Sequence, residues 1–188
     1  MKKISFIGIT LALFLYIVFF VFALRALAQN QTPSTSNSIN YPLAWPGILP
    51  DNKIYKLKVL RNKIIEKMII DPVKKVEFDL LMADKTIYAS KLLIEKGKIA
   101  LAKDTGLKGE NYYSILVQDY NKSLLQHKKI PLFLDNKITL AALKHQEIFK
   151  DLENTVNEED KKVFQIVNNF SKINYQFIVG LRTSQKIK

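Results

Sequence analysis

Hydrophobic and polar positions along the chain fall into one unbroken apolar run followed by five stretches of helical period. The run, Ile4–Leu24, has 21 residues and no charge, long enough to cross a bilayer as a helix. Beyond it, apolar residues recur at steps of three and four. Leu57, Leu60 or Arg61, Ile64 and Met68 mark a first helix, with lysines between them. Val73, Val76, Leu80, Ala83, Ile87, Ser90 and Ile94 mark a second, and Leu81, Tyr88 and Leu92 widen its stripe into a buried face. Tyr112, Tyr113, Leu116, Val117, Tyr120 and Leu124 share one face of a third. A fourth aligns Ile138, Ala141, Ala142, His145, Ile148, Phe149, Leu152 and Val156, and a fifth turns Val163, Ile166, Val167, Phe170, Ile173, Phe177 and Leu181 inward. Apart from short ambiguous apolar runs, no stretch alternates with the period of a half-buried strand. The pattern predicts an all-α fold, an antiparallel helical bundle of about five helices preceded by an N-terminal transmembrane or signal helix.

Punctuation places the boundaries. Asp51 or Asn52 N-caps the first helix. Asp71-Pro72 ends it and starts the second, with Asp as N-cap and Pro at the first helical position. Gly97 sits where a helix-ending C′ residue is expected. Lys98–Gly109 reads as an irregular connection with a turn at Asp104-Thr105-Gly106. The third helix ends near Lys128-Lys129, Ile130-Pro131 breaks the pattern, and the fourth begins near Asp135. Asn157 caps the fifth, whose first turn is acidic (Glu158, Glu159, Asp160), as the helix dipole favours. Gly180 and the basic segment Arg182–Lys188 suggest a fraying end.

The predicted organisation is a signal peptide or membrane anchor over 1–28, a polar Ser/Thr/Asn-rich tether over 29–40, a helical domain over 41–182 and a basic tail over 183–188. Lys2 and Lys3 favour keeping the chain start in the cytoplasm and exporting the rest. Ala26-Leu27-Ala28 before Gln29 fits a small-x-small cleavage site, whereas the length of the apolar run fits an uncleaved anchor; both readings stand. Twelve tether residues span at most roughly 40 Å. Prolines 42, 46 and 50 make Tyr41–Pro50 an extended strap, with Leu43, Trp45, Ile48 and Leu49 expected to cover one end of the core.

Gly47-Ile48-Leu49-Pro50-Asp51-Asn52, Tyr55, Lys58-Val59-Leu60, Asp71-Pro72-Val73-Lys74-Lys75 and Leu80 to Lys85 together resemble domain of unknown function 5667. The likeness is closest over Tyr41–Lys98 and continues at Lys144-His145-Gln146-Glu147. Where family members carry an Ala-rich segment with Arg-Leu, this chain has Asp84-Lys85-Thr86-Ile87-Tyr88-Ala89. The resemblance implies a small all-helical bacterial domain, exported or membrane-anchored, and carries no activity.

Composition narrows the chemistry. The chain has no Cys, which excludes disulfides, thiolate metal sites and a lipid-modified Cys. Its two histidines, His127 and His145, fall on different predicted helices without an acidic partner at i±4. His145 lies on the core stripe, suited to bonding a Tyr or a backbone carbonyl, and His127 reads as a surface residue. The helix start explains Glu158, Glu159 and Asp160 without acid–base work. No phosphate loop, nucleophile elbow or zinc-helix motif occurs. The sequence nominates no catalytic, cofactor-binding or metal-ligating residue, and the expectation is a protein that is not an enzyme.

Formal net charge is +12. Without Lys2, Lys3 and Arg25, 26 basic residues against 17 acidic leave +9. Lys53, Lys56, Lys58, Arg61, Lys63 and Lys67 gather near the first helix, so anionic lipid or an envelope polymer is a candidate partner besides the membrane itself. Export argues against nucleic acid. Two functions are expected from this reading: an extracytoplasmic membrane-associated interaction or structural module, or a small-ligand sensor or carrier with a pocket between helices lined by Tyr112, Tyr113, Tyr120 and His145.

Overall fold

The structure, a computed structural model, describes residues 38–186. Ile4–Leu24, the Ala28–Gln29 junction and residues 29–37 of the tether lie outside the described residues. Among those described there are five α-helices and no strand: α1 Tyr55–Met68, α2 Pro72–Glu95, α3 Ile99–Leu125, α4 Leu132–Thr155 and α5 Glu158–Lys186. No helix among them is long and apolar enough to cross a membrane.

Local chemistry sets the ends of these helices. The Asp71 carboxylate accepts from the Val73 and Lys74 amides at 2.9 Å each, with Pro72 at the first helical position. The α2–α3 turn closes at Gly97, whose φ of +70° suits a residue without a Cβ. At the end of α3, His127 takes the equivalent left-handed position with φ 55°, and the Lys128 amide reaches back to the Ser123 carbonyl at 2.9 Å. Asn157 accepts from the Asp160 amide at 2.9 Å and so opens α5. Asp51 caps nothing; it ion-pairs with Lys96 at 3.1 Å, and α1 starts three residues after Asn52.

Four helices form the bundle. α2 lies against α3 and α4, and α5 lies against the same two, so the cyclic order is α2, α3, α5, α4. One apolar cluster gathers Val76, Leu80, Tyr113, Leu116, Tyr120 and Ile138, and a second gathers Ile87, Leu93, Phe149, Leu152, Phe164 and Val167.

Several expectations are corrected. Asp104-Thr105-Gly106 is not a turn but lies inside α3. Its glycines serve close packing: a Cβ on Gly109 would stand 2.5 Å from Ile87 Cγ1 and 3.0 Å from the Ile87 backbone nitrogen. On α2, Leu81 is exposed, and the second buried file is Asp79, Met82 and Leu93. α5 is rotated about its axis. Phe164, Val167, Ser171 and Ile178 face the core, whereas Ile166, Phe170, Ile173 and Phe177 are 52–59% exposed. Arg182 does not begin a frayed tail; it ion-pairs with Asp135 at 2.7 Å, and the helix continues to Lys186.

α1 departs furthest from expectation. It contributes no buried residue. Tyr55, Lys58, Val59, Asn62 and Glu66 are its half-buried positions, and these line the groove against α2 and α3. Ile54, Leu57, Leu60, Ile64, Ile65 and Met68 point away from the body, 40–73% exposed. The stripe that sequence periodicity assigns to the core faces outward.

Candidate functional site

Each bundle helix places a buried polar residue between the two apolar clusters. Asp84 of α2 falls between Ala83 and Ile87, and Glu110 of α3 between Ala102 and Tyr113. His145 of α4 falls between Ala142 and Ile148, and Ser171 of α5 between Val167 and Ile178. The His145 ring lies 2.8 Å from Asp84 through Nε2. A carboxylate oxygen accepts, so Nε2–H is the donor in this bond. Nδ1 has no partner, nor has Glu110 Oε2. The Asn174 amide donates to Glu110 Oε1 at 2.7 Å, and Tyr113 stands edge-on to the imidazole at 5.5 Å between centroids. Burial pushes the Glu110 carboxyl up to about 7, with His145 and the Asn174 amide pulling it less strongly the other way.

This layer fastens the strap. The Tyr41 hydroxyl donates to the second Asp84 oxygen at 2.6 Å; burial, then the Asp84 charge, raises the phenol far above its usual range. Two residues beyond His145 on α4, Glu147 Oε2 accepts the Ile39 amide at 2.7 Å while Lys144 donates to Oε1 at 2.6 Å. Partial burial pushes the Glu147 carboxyl up, but those two hydrogen bonds prevail and hold it low. Lys58 donates to the carbonyls of Pro46 and Ile48 at 2.6 and 2.9 Å, so it ties the strap to α1 rather than presenting its charge outward. The strap therefore runs alongside α2 instead of covering an end of the core. Tyr41 and Pro46 are buried, and Trp45, 64% exposed, leans edge-on against Tyr88.

A second group of acids lies nearer the surface. Burial pushes the Asp79 carboxyl up to about 7, with Lys75 opposing and Asp119 adding to it. Lys75 ion-pairs with Asp119 at 3.3 Å and with Glu66 at 3.6 Å.

The positions singled out from sequence do not converge. His145 is buried in the polar layer, while His127 is exposed in the α3 terminus. Asp160 ion-pairs with Lys103, and Glu158 pairs with Lys161 at 3.2 Å. Tyr113 and Tyr120 are buried and occupied, donating to the Ile138 carbonyl at 2.9 Å and to Asp135 at 2.8 Å. With His145 these residues form filled core rather than the lining of a pocket. Only Tyr112 borders an open space, a groove of about 450 Å³ between α1, α2 and α3. Among the described residues no three His, Cys, Asp or Glu side chains are grouped to hold a metal ion.

Asp84 and Glu110 were missed as core residues, although each sits in register with its helix's apolar stripe. Comparison of the chain with protein-family models, with curated proteins and with solved structures gave no match.

Proposed function

We propose that this chain is a non-enzymatic, membrane-associated extracytoplasmic helical domain, an interaction or structural module of the cell envelope. In this reading Ile4–Leu24 directs export and holds the chain at the bilayer unless Ala28–Gln29 is cut, and α1 rests on the lipid surface. The observation that carries it is the outward face of α1. Lys53, Lys56, Arg61, Lys63 and Lys67 are exposed beside its apolar stripe. An apolar stripe bordered by cations is the composition of a helix lying in the plane of an anionic membrane. The resemblance of Tyr41–Lys98 to domain of unknown function 5667 belongs to the same reading. The clamp at Tyr41 and Ile39 then has a mechanical role, fixing the body to the segment that joins it to the membrane.

The test uses the full chain reconstituted into vesicles, with a polarity-sensitive fluorophore on Leu57→Cys or, as control, on Asn62→Cys of the inner face. Lipid-borne quenchers should reach position 57 in anionic vesicles and lose access in high salt or neutral lipid, leaving position 62 unquenched. Equal quenching at both positions, or none at 57 in anionic lipid, refutes the α1 contact.

A further inference from the structure

α5 carries the second exposed apolar stripe, and its surroundings differ from those of α1. Ile166, Phe170, Ile173 and Phe177 repeat at steps of four, three and four, the spacing of a coiled-coil seam. The exposed polar residues beside it are mainly amides, Gln165, Asn169 and Gln176. The nearby lysines, Lys162 and Lys172, lie respectively at one end and around the helix from it. A face so poor in cations is ill-suited to an anionic lipid surface. On a chain with this excess of positive charge, however, it is a place where a like-charged copy can approach without repulsion.

We infer that this seam joins two copies of the chain through antiparallel pairing of their α5 helices. A two-fold axis between Ser171 and Lys172 sets Phe170 against the partner copy's Ile173 and Ile166 against the partner copy's Phe177, alternating large and smaller side chains. It also opposes the two helix dipoles. Parallel pairing would bring like ends together. Four half-exposed side chains of this size present on the order of 300–500 Å² per copy, so the seam alone gives a contact below the usual range for stable complexes. Leu107 of α3, exposed beside the groove that Phe170 borders, extends the surface. The pairing is thus weak and concentration-dependent, and confinement of both copies to one membrane, if the preceding reading holds, strengthens it.

The absence of native cysteine makes cross-linking of the full chain in neutral detergent micelles direct. Phe170→Cys should link to itself through a short bis-maleimide. Ile166→Cys and Phe177→Cys should each fail alone, because antiparallel pairing separates the identical positions by about 16 Å along the axis, yet link when mixed. Phe170→Glu added to the mixed pair should lower the linked fraction at least tenfold with the helical circular dichroism unchanged. Linking of Ile166→Cys alone as well as in the mixture overturns the antiparallel seam. No linking in the mixture, or quenching of a fluorophore on Phe170→Cys by brominated lipid, overturns the second copy as occupant. Because charged lipid is absent from the linking experiment, its failure is separate from failure of the α1 contact.

Discussion

Glu110→Gln tests whether the polar layer imposes a pH-dependent cost on the fold. The folded chain holds the Glu110 carboxyl at about 7, against an ordinary 4.5, because burial disfavours its charged form. Between those values the folded state retains a proton that the unfolded state has lost, so stability falls as pH rises and the full cost is reached above about pH 8. A shift of this size corresponds to about 3 kcal/mol. Gln keeps an oxygen to accept the Asn174 amide and cannot ionise. The variant should therefore match the native chain near about pH 5 and exceed it by about 2–3 kcal/mol near about pH 8.5. Urea unfolding of the full chain in mild detergent, followed by far-UV circular dichroism across that range, gives the comparison. Asp79 is raised with the same sign, so the variant retains some decline with pH, and the difference between the two chains isolates Glu110. Parallel profiles would refute the reasoning.

Two other substitutions probe the clamp and the helix contact. Tyr41→Phe removes the 2.6 Å bond to Asp84 and leaves a buried carboxylate oxygen short of a donor; a loss of about 1.5–3 kcal/mol is expected, with faster amide exchange at Ile39 by hydrogen-exchange mass spectrometry. Gly109→Ala drives a methyl group to 2.5 Å from Ile87 Cγ1; despite the gain in helix propensity, a net loss of about 1–3 kcal/mol is expected in the same urea assay, and a stabilised variant would show that α2 and α3 can separate freely there.

The bundle was legible where polar and apolar residues take opposite faces. α4 is the clearest case, since Ile138, Ala141, Ala142, His145, Ile148, Phe149 and Leu152 are all buried as their spacing implies. The Asp71-Pro72 start and the Gly97 stop were equally readable, because each depends on a local backbone requirement. Gly106 misled for the same reason in reverse: glycine beside Asp and Thr signals a turn locally, and only contact with α2 shows that the small residues admit a neighbouring helix. The polar layer was half legible. His145 lay on its stripe, but its partner Asp84 stands 61 residues away, a distance that helical periodicity does not bridge.

α1 and α5 show the deeper limit. Periodicity reports that one face of a helix avoids water; it does not report what covers that face. For α5 two apolar stripes compete, one through Phe164, Val167 and Ile178 and one through Ile166, Phe170, Ile173 and Phe177. Gaps left by Ser171 and Asn168 made the first look weaker. The structure buries it nonetheless, with Asn168 and Ser171 buried along it. For α1 the lysines were the available signal. A helix that turns Tyr55, Asn62 and Glu66 toward its own body while exposing Leu57, Ile64 and Met68 gains little from folding alone, since it leaves its apolar area in water. Under the function proposed above, its amphipathic pattern acquires a physical use where a further surface accepts that stripe, and the cations beside it would favour an anionic one.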